Sequence, residues 1–372
     1  MKRRRRFLDY YRQFEELSPE EVARSYRERS EASRSAALAV VHPLDLSSTG
    51  WHEPPHAEIV NAATFALRRS LNAYPDPTAE PARRALAEHH GLPAERIVLG
   101  HGAGELLAAA LTAALRDGGE AILPWPTWPP LAALIARAGG TPVPVPLNGD
   151  AIDLPALDAA VRTGTRAIVL ASPNDPTGLA LGQDELAAFL RGLPERVLVV
   201  VDEALADFLP APATALPLLA VHPRLVVVRS LSKAHALAGA RLGWAAGGEG
   251  TGELLATLAP SGAVGAPAQA ALLAALEVGD RVLPLRRQAV ADARVRLAAL
   301  LEGSPVSFPA GGVTNFAWLR AEGHDSRALA AHLAGANIAV TPGAPYNDEH
   351  GVRAALRGPE AVDRLGAALA SL

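Results

Sequence analysis

Apolar residues in this chain fall into short unbroken runs. Ile97-Val98-Leu99, Ala167-Ile168-Val169-Leu170, Val197-Leu198-Val199-Val200-Val201 and Leu225-Val226-Val227-Val228 are β-branched-rich and carry no polar alternation. Such runs predict strands buried on both faces, as in a mostly parallel sheet. Asp117 to Pro124 reads as a turn and strand, and Arg241 to Ala245 as the last strand of the series. Helical spacing predicts an amphipathic helix from Arg83 to a stop at Gly91, a second from Leu106 to Leu115, and a long one from Ala266 to Leu301. The strand–helix alternation that starts at Arg96 is the signature of a doubly wound α/β sheet. Beyond the long helix, Pro305–Phe308, Gly312–Trp318 and Gly351–Leu356 read as strands and Ser326–Leu333 as a helix, which makes a smaller α/β unit. Residues 1–42 read as a helical extension, with Ser18 as cap, Pro19 at the first helical position, and Glu20 and Glu21 in the first turn.

The length of 372 residues exceeds one ordinary domain and suggests a large domain plus a smaller one. A formal net charge of −4 gives no electrostatic reason to expect nucleic acid as a partner. Without cysteine there is no disulfide, thiolate nucleophile or Cys-ligated zinc, which fits a cytoplasmic protein. No apolar run reaches the roughly 18–20 residues that span a bilayer. The basic run Lys2-Arg3-Arg4-Arg5-Arg6 has no apolar core behind it, so it reads as a solvated terminus rather than a signal peptide or nucleic-acid arm. No metal-ligand spacing is present.

The chemistry concentrates at Ser230-Leu231-Ser232-Lys233, directly after the run at Leu225–Arg229, with Arg241 eight positions later. A desolvated lysine is partly neutral and can form a Schiff base. Two hydroxyls and a guanidinium suit a phosphate. The bland reading is a surface lysine beside a structural arginine. Elsewhere, glycines entering the helix after Leu99 offer backbone amides to a phosphate. Trp128 at a strand end suits stacking on a flat ring. Asp202, at the end of the run Val197–Val201, suits pairing with a protonated ring nitrogen.

The Ser-x-Ser-Lys-x-x-x-Leu-Ala-Gly-x-Arg-x-Gly stretch from Ser230 to Gly243 resembles the pyridoxal-phosphate lysine motif of class I/II aminotransferases, in the form of the histidinol-phosphate aminotransferase branch. Tyr74-Pro75-Asp76-Pro77, Pro173-Asn174-Asp175-Pro176-Thr177-Gly178 and Asp202-Glu203 follow the family's order from about residue 45 onward. The resemblance implies a fold-type-I transferase, with a mostly parallel seven-stranded sheet sandwiched by helices and a smaller α/β domain. It implies an arm at 1–45, a large domain at 46–265 (46–75 shared with the small domain or a dimer interface) and a small domain at 266–372. It implies pyridoxal 5′-phosphate held by Lys233, Asp202, Trp128, Ala103, Gly104, Asn174 or Asp175, Ser230, Ser232, Arg241 and the Tyr74 of a second copy, hence a homodimer with shared sites. Lys233 and Asp202 would be the catalytic pair, and Arg353 and Tyr346 would meet substrate. Arg357 competes with Arg353 for the substrate carboxylate. The implied reaction moves an amino group between an α-amino acid or amino-alcohol phosphate and a 2-oxo acid, in amino-acid biosynthesis.

Three departures stand out. Thr49-Gly50-Trp51-His52-Glu53 replaces the branch's substrate-side Asn-Glu-Asn-Pro-Tyr-Gly pattern, which makes Trp51 and His52 candidate substrate contacts. Asp175 stands where the family has an Asn donor to the ring oxygen O3′, and Leu205 where it has a Tyr donor. An ionised carboxylate accepts but does not donate. Asp175 is therefore protonated, binds otherwise or cedes the role to Asn174; with both family contacts altered, the expectation is that O3′ is less stabilised as an anion and the lysine-linked cofactor keeps its proton to higher pH. These changes also leave room for a threonine-phosphate decarboxylase-like enzyme, a lyase or cyclase, or a cofactor-binding protein without turnover.

Overall fold

The computed structural model describes Ser18, residues 42–209 and residues 214–372. The expected helical extension lies almost wholly outside them. Asp45–Leu372 forms one compact body. Its centre is a seven-stranded sheet of β1 (Ile97–Gly100), β2 (Glu120–Trp125), β3 (Thr141–Pro146), β4 (Thr165–Ala171), β5 (Leu198–Asp202), β6 (Leu225–Ser230) and β7 (Gly243–Gly247), in the order β1-β7-β6-β5-β4-β2-β3. Only β7 runs antiparallel to its neighbours. The other pairs are parallel.

Each apolar run serves two cores, because alternate side chains leave a strand on opposite faces. Val199, Val201 and Val227 pack on one face with the Glu80–His90 and Ala266–Leu300 helices. Leu198, Val200, Val226 and Val228 pack on the other face against Leu107 and Leu111 of the Ala103–Leu115 helix. Burying each such side chain stabilises by about 1.5–3 kcal/mol, which is why polar residues enter these strands only at their ends.

β3 carries Pro142, Pro144 and Pro146, which hide it from a strand reading. It is an edge strand. The amides of Thr141 and Leu147 donate inward to Gly119 and Trp125, so the prolines fall on the alternate positions whose missing N–H would face outward. The Ala103–Leu115 helix starts three residues earlier than its apolar spacing suggests. Arg241 precedes β7 instead of belonging to it, with φ +49°. Gly312–Asn315 is loop, and the strand there is Phe316–Ala321.

The long helix Ala266–Leu300 leads to a four-stranded antiparallel sheet in the order Thr341–Pro342, Gly351–Ala355, Phe316–Ala321, Val306–Ser307. Arg353 sits in its second strand, in register with Thr341 on one side and Trp318 on the other. Among the described residues, no helix is long and apolar enough to cross a membrane.

Candidate active site

Four chain segments converge on a cavity of about 260 Å³ at the carboxyl ends of the parallel strands, where open α/β sheets place their ligand sites. β6 ends at Ser230, and the turn behind it delivers Ser232 and Lys233 to the cavity wall. β5 ends in Asp202, which lines the same cavity. Trp128 follows β2, and Ala103 and Gly104 open the helix after β1.

Burial pulls the Lys233 amine below the usual lysine range; Asp175 and Asp202 work against that shift, and Arg353 and Arg241 with it. The amine donates to Thr49 Oγ1. Thr49 is itself held by Asn315, whose Nδ2 donates to the Thr49 carbonyl at 3.0 Å. Burial raises the Asp202 carboxyl to about 6, against a hydrogen bond from the Ala204 amide (2.9 Å) and the charge of Lys233.

The corner facing Ala103 is closed to any extra atom. Gly102 has φ +97°, and a Cβ there would lie 2.8 Å from Arg241 Nη2. Helix-terminal amides, the Ser230 and Ser232 hydroxyls and the Arg241 guanidinium thus meet without intervening side chains. An anion corner, a desolvated amine and a partly buried carboxyl in one cavity fit the phosphate, aldehyde and ring nitrogen of pyridoxal 5′-phosphate. A Cβ on Gly104 would come 3.4 Å from Trp128 Cη2, which places the indole over the same helix terminus.

The aminotransferase class I and II family matches residues 43–368. The chain belongs to that family. It is therefore a pyridoxal-phosphate-dependent aminotransferase of fold type I. It is 37% identical over 308 residues to an aromatic amino acid aminotransferase of Thermobifida fusca, covering 82% of this chain and 83% of that one. It is 43% identical over 176 residues to a histidinol-phosphate aminotransferase of Erythrobacter litoralis, covering 47% and 48%. Among solved structures, histidinol-phosphate aminotransferase from Sinorhizobium meliloti in complex with pyridoxal-5′-phosphate superposes with a TM-score of 0.79 at 27% identity, covering 88% of this chain and 90% of that one.

Of the other residues that stand out in the sequence of this aminotransferase, some line the cavity and some do not. Asn174 is fully buried but does not line the cavity. Its Nδ2 donates to the Pro126 carbonyl (3.1 Å) and Thr177 Oγ1 (3.3 Å), and its Oδ1 accepts from Thr127 (2.9 Å). Its amide braces the loop, so it does not replace the missing donor. Asp175 does line the cavity, yet its carboxylate turns to Arg353 and Tyr346. Leu205 lines the cavity as an apolar wall. Trp51 packs against Phe208 and lines a separate cavity of about 450 Å³ with His52, Arg286 and Arg357. Tyr74 is fully exposed. Two residues past Lys233, His235 faces Asp207 (3.3 Å) in another cavity.

Sequence reasoning passed over Thr49 and Asn315. A Trp-His pair two residues away drew attention, and nothing local marks a lone threonine whose partner is 184 positions distant.

Proposed function

We propose that this aminotransferase moves an amino group between an α-amino acid or amino-alcohol phosphate and a 2-oxo acid, with pyridoxal 5′-phosphate held in the Lys233 cavity. The observation that carries this reading is the convergence of Lys233, Asp202, Trp128 and the Arg241 corner on one cavity. Bound there, the cofactor supplies an electron sink for a breaking bond at the substrate Cα. Lys233 would hold the cofactor, and its amine would move the proton at the substrate Cα as base and then acid. Asp202 holds the ring nitrogen protonated. Trp128 fixes the ring plane. Ala103, Gly104, Ser230, Ser232 and Arg241 bind the phosphate.

Tyr74, with Phe65 and Leu71 exposed on the same stretch, suits coverage by a second copy, so the working unit of this reading is a cytoplasmic homodimer in which Tyr74 reaches the other copy's phosphate corner. The domain assignment is 46–265 for the cofactor domain and 266–372 for the small one, with an arm at 1–45. Aromatic amino acids and histidinol phosphate are the first donors to test, since the relatives carry those names.

The test is an absorbance spectrum of the protein with pyridoxal phosphate, before and after a donor panel, with Lys233→Ala as control. A visible band absent from the variant and bleached by some donors is expected. A Lys233-dependent band that no donor bleaches would favour decarboxylase, lyase or non-catalytic readings. No band would end the cofactor assignment.

A further inference from the structure

Arg353 is the cation that an α-carboxylate would need in this site, and its guanidinium is already engaged. Nη1 donates to Asp175 Oδ1 (2.8 Å) and Oδ2 (2.6 Å). Nη2 donates to the Ser47 carbonyl (3.1 Å) and Thr341 Oγ1 (3.4 Å). Nε is buried with no partner among the described residues. The rings of Phe316 and Tyr346 lie 5.5 and 5.7 Å from its Cζ. Both terminal nitrogens are thus engaged, and the unpartnered Nε is buried. The side chains of Arg353 and Asp175 are only 12% and 11% exposed.

Asp175 is itself fixed. Tyr346 Oη donates to its Oδ1 at 2.9 Å, and burial with the neighbouring Asp175 charge raises the phenol's pKa, so it stays a donor. Asp175 lines the Lys233 cavity and Arg353 does not. The carboxylate stands between the cavity and the cation. A substrate carboxylate aimed at Arg353 would have to displace a buried, triply bonded one and then sit beside it. Like charges in that arrangement are strongly disfavoured, which is discrimination by repulsion.

We propose that Asp175 is a resident carboxylate that competes for Arg353, so that among amine donors the site favours those with no carboxylate at that position, such as amino alcohols, over α-amino acids, and a 2-oxo acid acceptor binds weakly for the same reason. This rests on the aminotransferase reading of the Lys233 cavity and narrows its substrate class.

The test compares binding of 3-phenylpropionate with 3-phenylpropan-1-ol, which replaces the carboxylate by a hydroxymethyl group, using calorimetry on the cofactor-loaded protein. The wild type is expected to bind the alcohol at least as well as the carboxylate. Asp175→Asn, which keeps the shape and removes the charge, is expected to gain about tenfold or more for the carboxylate and little for the alcohol. Adding Arg353→Gln should abolish the gain. In turnover, kcat/KM for phenylalaninol relative to phenylalanine should fall by a similar factor in Asp175→Asn. Wild-type preference for the carboxylate by about tenfold would overturn the proposal without any variant. So would a well-folded Asp175→Asn with no gain, or no binding of either probe to either protein. If no cofactor band forms, the aminotransferase reading fails, and the same calorimetry on cofactor-free protein still decides whether Asp175 blocks Arg353.

Discussion

The Lys233 amine donates its hydrogen bond to Thr49, so the reactive nitrogen is held by a residue from a loop far away in sequence. Burial lowers the amine's pKa below the usual 10.5. In cofactor-free protein, the rate of reaction with pyridoxal phosphate should therefore rise with pH through a midpoint below that of an ordinary lysine. Thr49→Val removes the acceptor that favours the charged amine and should move the midpoint lower still. A midpoint at the ordinary value in stopped-flow absorbance would contradict the burial of this amine.

Asp202 gives a stability test with a definite sign. Its folded pKa, about 6, lies above the ordinary 3.8. A raised carboxyl favours folding below pH 4, and that contribution is lost as pH rises through 6. Cofactor-free Asp202→Asn should gain about 2–3 kcal/mol over the wild type at pH 8, relative to their difference at pH 3.5. Denaturant titration at the two values measures it.

His90 titrates the opposite way. Burial, aided by Arg229 and His89, lowers its pKa from 6.5 to about 4, while its ring packs 4.9 Å from Trp244. The neutral ring's contribution is present above pH 6.5 and lost as pH falls towards 4. His90→Phe should flatten the acid limb of the stability profile between those values, by up to about 3 kcal/mol. An unchanged limb would show that other groups set it.

Two glycines with positive φ separate strain from contact. Gly91 caps its helix at φ +64° with nothing within 4 Å of a Cβ, whereas Gly102 would push into Arg241. Gly91→Ala should cost about 1 kcal/mol of stability and leave cofactor affinity unchanged. Gly102→Ala should also lower cofactor affinity by about tenfold or more, read by dialysis and absorbance, if Arg241, which it displaces, binds the phosphate as proposed.

Leu205 offers a gain-of-contact test. Leu205 lines the cavity with a side chain that has no donor. Leu205→Tyr would supply one, so the loaded variant's visible band should lose its proton at lower pH than the wild type's. Coincident titrations would place the tuning elsewhere.

Much was legible in the sequence because it is local. The apolar runs fix buried strands, since only a two-sided core hides a β-branched run from water. The Ser-x-Ser-Lys segment carries its ligands within a dozen residues, so one strand end presents Ser230, Lys233 and Arg241 together whatever surrounds it. β3 escaped notice because its prolines are acceptable only at a sheet edge, and an edge is a property of the assembled sheet. Thr49 against Lys233, Asn174 spent on its loop, and Asp175 on Arg353 were decided by tertiary structure alone. Each joins segments distant in the chain, and a side chain's hydrogen-bond capacity is assigned only when every competing partner is in place. Sequence determined which groups this aminotransferase owns, and folding determined that the carboxylate at 175 would reach the arginine at 353 before any substrate could.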